Sequence, residues 1–397
     1  MIYVLAMAIV LGLVVTIHEL GHFLAAKSFG VAIDRFSIGF GRALASWKDR
    51  SGVEWRIGWI PLGGYVRFSG DENAASVPDH ESLESLRRHI VEREGPSAVD
   101  RYFHFKPLWQ RAIIAAAGPM ANFLLAITIF AAFLLAFGQY VLPPKIASVE
   151  QGSPAAVAGF LPGDVIVRIA GEPVENFEDV AQLVQLRANV ATAFVVERAG
   201  KSVELIATPE WRMRDTELSG PRRMGTLGIA PAQTRADLIH VTYNPVEAVV
   251  GGVDRTWKTL TRTIYYLGRM ITGQVSSDQL SGPLGIAHVS GKVAQAGAEG
   301  GANFGMKLMG AGLNLLQLAA FVSVSIGFMN LLPVPVLDGG HLLFYAYEAV
   351  ARRPLAAQVQ AVGYRVGLAL LLGLMLFATW NDLQQLRVFK LLGDLFS

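Results

Sequence analysis

The chain has 397 residues, of which 52% are hydrophobic and 17% are charged, and its formal net charge is +2. A soluble domain usually carries about 25% charged residues, so this composition indicates a chain that lies partly in lipid. The near-neutral charge argues against a nucleic-acid-binding surface. The sequence has no cysteine, which excludes disulfides, thiol catalysis, iron–sulfur clusters and thiolate zinc sites. Any metal ion would therefore be bound by His, Asp or Glu.

Four apolar runs approach the length needed to cross a bilayer, which is about 20 residues. The predicted transmembrane helices are residues 1–26, 108–138, 308–337 and 359–383. A cleaved signal peptide is the alternative for the first run. That run has no basic start and no A-x-A-like cleavage site at its C-terminal end, and it continues into His18 and Glu19. We therefore expect four membrane-spanning helices.

Lys and Arg residues near the ends of these helices predict their orientation, because cytoplasmic loops carry an excess of both. No basic residue precedes Lys27, and many basic residues lie between the first and second helices. Arg352, Arg353 and Arg365 lie between the last two helices. Both loops are expected in the cytoplasm. The N-terminus, the long middle region and the C-terminus are expected on the other side.

The first loop divides into an aromatic, glycine-rich part and a polar part. Residues 34–70 are predicted to form strands separated by turns, with strands at Ala43–Trp47, Glu54–Ile60 and Tyr65–Phe68 and one turn at Pro61–Gly64. Tryptophans beside a transmembrane helix suit a sheet that dips into the membrane interface, and a small soluble hairpin is the alternative. Residues 71–107 are predicted to be a cytoplasmic loop.

The middle region begins with strands and glycine-rich turns over residues 141–210. The predicted elements are strands at Lys145–Val149, Val165–Ile169, Phe194–Glu197 and Val203–Ile206, and a helix at Phe177–Leu186. The run G-S-P-A-A-V-A-G-F-L-P-G-D-V-I-V-R-I-A-G resembles a PDZ domain of the bacterial protease type. The groove of such a domain binds an extended peptide as an added strand. A spacer that limits access without binding a peptide is the alternative.

A long amphipathic helix is predicted at Asn244–Thr272, where apolar residues recur every three or four positions. Asn244 is placed to cap this helix, and Glu247 to complete a capping box. Its other face is too charged to span a membrane, so we expect it to lie on the membrane or to pack on the PDZ-like part. Residues 244–295 are accordingly predicted to form amphipathic interfacial helices.

The sequence H-E-L-G-H at residues 18–22 carries the clearest chemistry. On a helix, His18 and His22 project from one face and can bind one Zn²⁺, while Glu19 lies beside the attacking water. A charge at the centre of a membrane helix costs roughly 2.5–3.5 kcal/mol, and a divalent metal would compensate these residues. The alternative is a set of polar residues at the interfacial end of a helix.

A catalytic zinc site usually has three protein ligands, so a third His, Asp or Glu is expected. Asp338 is the leading candidate, because it follows a long uncharged run and is expected at the same side of the membrane as His18. Two alternatives remain open. Asp338 could instead cap the helix that follows, and His341 is a competing ligand.

Two prolines, Pro333 and Pro335, predict a broken backbone after Asn330, because proline cannot lie in a regular helix interior. Such backbone is tolerated at membrane depth only beside protein or a water-filled cavity, as a hydrolytic site requires. Asn122, the last residue of G-P-M-A-N at residues 118–122, is either a further polar contact of this site or a helix-packing contact.

Taken in chain order, these features resemble the site-2 protease family, most closely its bacterial RseP branch. The motifs are HELGH, GPMAN, the PDZ-like part, SGPLGIA at residues 281–287 and NLLPVPVLDGGHLL at residues 330–343. The resemblance implies an intramembrane zinc metalloprotease. Its fold would be a polytopic α-helical membrane protein with four transmembrane helices, a membrane-associated β-hairpin region and one extracytoplasmic PDZ-like α+β domain.

The resemblance also implies roles for individual residues. His18, His22 and Asp338 would bind Zn²⁺, and Glu19 would be the general base. Asn330 would position the substrate, with Pro333 and Pro335 in the same motif. The strands of residues 34–70 would form the family's membrane-reentrant β-loop, which binds the substrate as an added strand.

The family further implies partners and a location. Single-span membrane proteins would be the substrates, among them an anti-sigma factor after a first periplasmic cut, and signal-peptide remnants. A peptide or protein ligand of the PDZ domain and membrane lipid are further expected partners, and nucleic acid is not. The protein would lie in the bacterial inner membrane, with the N-terminus, PDZ domain and C-terminus periplasmic and the active site toward the cytoplasm. Members with two tandem PDZ domains differ from this chain, in which we find one.

Two other classes of protein share some of these features. A non-catalytic membrane adaptor would combine a PDZ domain with a structural metal site. A secondary transporter would have broken membrane helices and inverted repeats, and we find no such repeats.

Overall fold

The structure is a computed structural model that describes residues 2–70, 80–216, 220–231, 237–272 and 282–385. The chain divides into two compact units. The first contains Met1–Phe130 and Gly251–Ser397, and the second contains Ala131–Val250. Parts of the predicted cytoplasmic loop and interfacial region, residues 71–79 and 273–281, lie outside the described residues, as does the first residue of SGPLGIA.

The helices of the described residues are α1 (Ile2–Ser28), α2 (His80–Glu94), α3 (Leu108–Phe137), α4 (Pro154–Ala158), α5 (Phe177–Leu186), α6 (Pro245–Ile271), α7 (Pro283–Glu299), α8 (Phe304–Asn330), α9 (Asp338–Ala351) and α10 (Ala357–Gln385), besides two short 3₁₀ helices. Four of them, α1, α3, α8 and α10, are long and apolar enough to cross a membrane. The four predicted transmembrane helices are therefore confirmed by length and composition.

The third of these helices differs from its predicted bounds. The predicted helix covered residues 308–337, but α8 ends at Asn330 and the chain is irregular until α9 begins at Asp338. Pro333 and Pro335 lie in the irregular stretch, where their missing N–H groups cost no helical hydrogen bond. The break places Asp338 at the start of a new helix.

Helix α7, which belongs to the region predicted to form interfacial helices, packs against α1 and α8 in the first unit. It contributes to a buried core shared with α1 and α8, formed by Ala6, Val10, Val14, Ala294, Leu315 and Ala319. Small residues make this close packing possible. A Cβ at Gly297 would overlap the carbonyl group of Gly310 on α8, so the two backbones touch.

Helix α7 is also joined to α10. The residue before α7 is Gly282, which has no side chain to cap the helix. The carboxylate of Asp382 on α10 takes this place. It accepts hydrogen bonds from the backbone N–H groups of Gly282, at 3.0 Å, and Gly285, at 2.8 Å. Asp382 is 2% exposed, so this carboxylate cap is buried.

Two long strands follow α1, namely β1 (Ile33–Lys48) and β2 (Glu54–Phe68). Residues 35–38 of β1 pair with residues 54–57 and also with residues 64–67 of β2, so β1 lies between two parts of β2. The predicted strands covered less of the chain. The first part of β1 was not predicted, and the predicted turn at Pro61–Gly64 lies within β2. Register shifts accommodate these residues in the ladder.

The second unit contains small antiparallel sheets. Its strands are β3 (Gln139–Val141), β4 (Ile146–Val149), β5 (Val165–Ile169), β6 (Glu172–Pro173), β7 (Thr192–Arg198), β8 (Lys201–Ala207), β9 (Glu210–Thr216), β10 (Gly220–Thr226), β11 (Ile229–Pro231) and β12 (Ile239–Val241). Four of them form a sheet in the order β6-β5-β7-β8. The predicted strands of this region and the helix α5 are all present, and the strands after residue 208 were not predicted.

The core of the second unit includes Ile146, Phe160, Ile166, Ile169, Phe194 and Val196. The second unit also contains an ion pair between the buried carboxylate of Asp164 and the partly exposed Arg198. Arg198 donates hydrogen bonds to both carboxylate oxygens of Asp164, at 2.7 and 2.8 Å, and the Leu161 N–H donates a third. The hydrogen bonds from Arg198 hold the pKa of the Asp164 carboxyl below its ordinary value. Asp164 is 1% exposed, so its charge depends on these donors.

Helix α6 begins as the sequence predicts. The N–H of Glu247 donates to the side-chain oxygen of Asn244, and the N–H of Asn244 donates to the carboxylate of Glu247, both at 2.9 Å. This reciprocal pair is a capping box. Apolar side chains on the helix are exposed, among them Val246, Val250 and Trp257.

Candidate metal centre

Three of the predicted site residues converge in the first unit. The Nε2 atoms of His18 and His22 on α1 lie 3.2 Å apart. The Oδ2 atom of Asp338 lies 3.1 Å from Nε2 of His18 and 3.5 Å from Nε2 of His22. One ligand atom from each side chain therefore lies within 4.8 Å of the other two. The structure thus brings together the three residues that the sequence predicts as metal ligands.

Asp338 reaches the two histidines because of the irregular segment before it. It is the first residue of α9, Leu337 holds the N-cap position, and no side chain caps the helix. The alternative in which Asp338 serves as a helix cap is therefore wrong. Gly339 and Gly340 face the backbone of the preceding segment so closely that a Cβ at either would overlap a carbonyl oxygen, of Leu331 or of Val334. The absence of a side chain at both glycines lets the irregular segment before Asp338 pack against the start of α9.

Each imidazole is oriented by a group on α3. The Nδ1 atom of His22 lies 2.7 Å from the backbone oxygen of Ile114, to which it donates when protonated. The Nδ1 atom of His18 lies 3.1 Å from the side-chain amide of Asn122, which is fully buried. Both rings therefore direct Nε2 toward Asp338. The structure places Asn122 against a predicted ligand.

Glycines at the crossing of α1 and α3 make these contacts possible. A Cβ at Gly118 would overlap the Nε2 atom of His22 and lie 2.9 Å from a ring carbon of His18. A Cβ at Gly21 would overlap the backbone oxygen of Ala117. The H-E-L-G-H and G-P-M-A-N motifs thus each supply a glycine to one close helix crossing.

The histidines open onto a cavity of about 520 Å³. Its lining includes all three clustered side chains together with Glu19, Tyr65, Val66, Asn330 and His341. Pro333 and Pro335 are not among the lining residues. Pro335 instead packs beside Gly363 and Gly367 of α10. His341 faces the cavity but is not part of the three-residue cluster.

The donor set fits zinc. Two imidazole nitrogens and one carboxylate oxygen are ligands of catalytic zinc sites, and they leave a coordination position for water or substrate. Among the described residues, the ion-pair partners of Asp338 are these two imidazoles. Its carboxylate is partly buried, and imidazoles that bind a metal are neutral, so they would not balance its charge. A divalent cation between the three atoms would do so.

Other residues of the cavity could not be identified from the sequence. Arg111 on α3 donates to the carboxylate of Glu348 on α9 at 2.7 Å, and both line the cavity. The two residues are far apart in the chain and carry no recognisable motif. The contact made by the backbone oxygen of Ile114 also has no sequence motif of its own. The nearby G-P-M-A-N motif indicates this part of α3 only indirectly.

Known proteins match the chain over almost its whole length. The profile of Peptidase family M50 matches residues 6–374. The metalloprotease MmpA of Caulobacter vibrioides is 51% identical, and the match covers 100% of this chain and 99% of that protein. A putative zinc metalloprotease of Agrobacterium fabrum is 42% identical, covering 97% of this chain and 96% of that protein. One of Rhizobium meliloti is 41% identical and covers 95% of each.

Proposed function

Because the chain belongs to peptidase family M50 and is a zinc-dependent metalloprotease, we propose that it cleaves single-span membrane proteins within the membrane. One observation carries this proposal. His18 and His22 lie on a helix long and apolar enough to cross a membrane, and Asp338 follows another such helix after a short break. A site built from these helices would meet a peptide bond at membrane depth.

The chemistry is assigned to the residues of the cavity. His18, His22 and Asp338 hold the zinc ion, which when bound acts as a Lewis acid toward the scissile carbonyl. Glu19 follows His18 directly and lines the same cavity. Its carboxylate takes the proton of the attacking water and delivers it to the leaving amide nitrogen.

Substrate positioning is assigned to Asn330 and β2. The amide of Asn330, a donor and an acceptor, faces the cavity and can hold an exposed backbone group. A substrate helix must unwind before its backbone is accessible, which breaks helical hydrogen bonds. Residues 64–67 pair with β1, and Tyr65 and Val66 among them line the cavity. An unwound segment that pairs beside them would recover part of the loss.

The two prolines act indirectly in this proposal. Neither Pro333 nor Pro335 is among the residues that line the cavity. They hold the backbone of the segment that leads into Asp338. Pro335 does so by packing beside Gly367, whose Cβ would lie 3.3 Å from it. Their substitution would thus displace Asp338 rather than remove a substrate contact.

The second unit is assigned as a PDZ domain that binds a peptide or protein ligand and controls access of substrates. Its strand and helix content after the G-S-P-A run supports this assignment. The substrates we propose are an anti-sigma factor already shortened by a periplasmic protease, and signal-peptide remnants. This assignment rests on the family resemblance.

The protein is a membrane protein, and we place it in the bacterial inner membrane. Its N-terminus, PDZ domain and C-terminus would be periplasmic, with the metal centre toward the cytoplasm, as the distribution of Lys and Arg predicts. The exposed Leu44 and Trp59 of the β1–β2 sheet and the exposed apolar residues of α6 support contact with lipid.

Cleavage of defined substrates tests the proposal. The purified protein in vesicles would be given a single-span model protein, and separately the same protein with its apolar segment replaced by a polar one. We expect cleavage inside the apolar segment, loss of cleavage with a zinc chelator, and recovery on adding Zn²⁺. Zinc binding without any cleavage would support a membrane adaptor instead, and cleavage of the polar version alone would exclude an intramembrane protease.

A further inference from the structure

The amide of Asn122 is enclosed at the back of the metal centre. The side chain is fully buried, and its amide lies 3.1 Å from Nδ1 of His18. We propose that the side-chain oxygen of Asn122 accepts a hydrogen bond from the Nδ1–H of His18 and so fixes the imidazole tautomer that offers Nε2 to zinc. Asn122 is then a positioning residue. This inference rests on the ligand set of the proposed function.

The tautomer follows from which nitrogen faces which neighbour. The Nε2 atom of His18 faces the other two ligands, 3.1 Å from Asp338 Oδ2 and 3.2 Å from His22 Nε2. A neutral imidazole binds a metal through the nitrogen that carries no proton. If Nε2 binds zinc, Nδ1 must therefore carry the proton and needs an acceptor. In the part of the chain that the structure describes, Asn122 is the side chain hydrogen-bonded at this position.

The amide can supply that acceptor. Its nitrogen now faces His18, and its oxygen is buried and has no hydrogen-bond partner among the described residues. A half-turn about the last side-chain bond exchanges two groups of nearly equal size. It places the oxygen on the Nδ1–H of His18 and leaves the NH₂ group where the oxygen was. Because the oxygen has no partner in its present position, the half-turn breaks no hydrogen bond of that atom, and the proton on His18 decides between the two orientations.

The neighbouring ligand shows the same principle with a backbone acceptor. The Nδ1 atom of His22 lies 2.7 Å from the oxygen of Ile114, an arrangement in which Nδ1 donates and Nε2 is free. Ile114 and Asn122 are both on α3. One helix would therefore orient both imidazoles, one through a carbonyl group of its backbone and one through a side chain.

Helix α8 also contacts Asn122. The hydroxyl of Ser323 on α8 donates to the backbone oxygen of Asn122 at 2.8 Å. Gly327, one turn further along α8, faces the Cβ of Asn122, and a Cβ at Gly327 would lie 3.2 Å from it. These contacts fix the backbone that carries the amide. They also provide a control, because Ser323 supports Asn122 without reaching His18.

The test is the zinc affinity of the full-length protein, measured by competition with a chromophoric chelator after removal of the metal. Asn122→Leu removes the acceptor and keeps the volume, and we expect affinity to fall by about 10- to 100-fold. Asn122→Asp keeps an acceptor but has no NH₂ group, and we expect its affinity to stay within about threefold of wild type or to rise. An equal loss in both variants, or no loss in Asn122→Leu, would overturn the proposal.

Two further variants make the result unambiguous. Ser323→Ala should lower the melting temperature without changing zinc affinity. If the buried charge of Asn122→Asp prevents folding, Asn122→Leu is compared with Ser323→Ala, and similar zinc losses in the two would mean that Asn122 acts through packing alone. His18→Ala should abolish tight zinc binding. If it does not, the ligand set of the proposed function is wrong, and the role of Asn122 falls with it.

Discussion

Gly118 of α3 lies against the ring of His22, so that a Cβ at this position would overlap Nε2 of the imidazole. Gly118→Ala should therefore displace the ligand atom itself while leaving a good helix-forming residue in α3. Because misplacement of a reacting group by about 1 Å can cost around 100-fold in rate, we expect a comparable loss of proteolysis together with weaker zinc binding. Zinc content and cleavage rate, measured on the same preparation, check this.

A matched control lies on α1. Gly12 has nothing within 4 Å of an added Cβ, so Gly12→Ala should leave zinc binding and cleavage unchanged. Normal zinc binding in Gly118→Ala would mean that the histidines do not take the observed positions in the metal-loaded protein.

Asp338 is expected to be indispensable for tight zinc binding. Its Oδ2 atom lies 3.1 and 3.5 Å from the Nε2 atoms of the two histidines, and no other carboxylate belongs to the cluster found in the described residues. Asp338→Asn removes the negative charge and should abolish both tight zinc binding and cleavage. Glu348→Gln, which also changes a carboxylate of the cavity lining, should keep its zinc. One zinc per chain in Asp338→Asn would exclude Asp338 as a ligand.

Asp382 is expected to stabilise the contact between α7 and α10. Its buried carboxylate accepts two backbone hydrogen bonds at the start of α7, and Asp382→Ala leaves both N–H groups without this partner. Since each hydrogen bond to a charged group contributes about 1.5–3 kcal/mol, the loss of two should lower the free energy of unfolding by at least that amount. Thermal unfolding in detergent measures the change. Asp382→Asn retains one acceptor, and its melting temperature should lie between those of wild type and Asp382→Ala. An unchanged melting temperature for Asp382→Ala would refute the assignment.

Asp164 should make the stability of the second unit depend on pH. The hydrogen bonds from Arg198 lower the pKa of Asp164 in the folded protein, so folding favours the charged carboxylate. This stabilisation is complete above the pKa that Asp164 has in the unfolded chain, and it is lost as the pH falls through the lower folded value. Hydrogen exchange of β5 and β7, corrected for intrinsic rates, should accelerate in acid in the intact protein.

Asp164→Asn should accelerate hydrogen exchange of β5 and β7 at neutral pH. It should also weaken the acceleration of that exchange by acid. Glu172→Gln serves as the comparison, because Glu172 also pairs with an arginine, Arg187, but its side chain is 59% exposed. A solvent-exposed ion pair contributes little, typically about 0–1 kcal/mol. Equal effects of the two substitutions would mean that burial of Asp164 does not strengthen its ion pair.

Spacing, charge and the family resemblance together predicted the three side chains that cluster in the structure. The four-residue interval of His18 and His22 is set by the helical repeat, and α1 preserves it. Asp338 was identifiable as an acidic residue after a long uncharged run. The strands and helix of residues 145–206 were also predicted, because alternation and turn residues act over a few positions.

The groups around the ligands could not be predicted in this way. The contacts of Ile114 and Asn122 with the histidines depend on where α3 crosses α1, which no local pattern encodes. The burial of α7 depends on small residues of another helix, such as Gly310. The early end of α8 was signalled by Pro333 and Pro335, but the uncharged run beyond Asn330 looked like continued membrane helix.

The most direct test of the account compares wild type with Glu19→Gln, measuring zinc content and cleavage of a single-span substrate on the same samples. Glu19 lines the cavity but is not part of the ligand cluster, so the variant should fold and keep one zinc per chain. Because it cannot take the proton of the attacking water, its cleavage rate should fall by about 10²- to 10⁴-fold. Cleavage at the wild-type rate by a zinc-loaded Glu19→Gln protein would contradict the proposed mechanism.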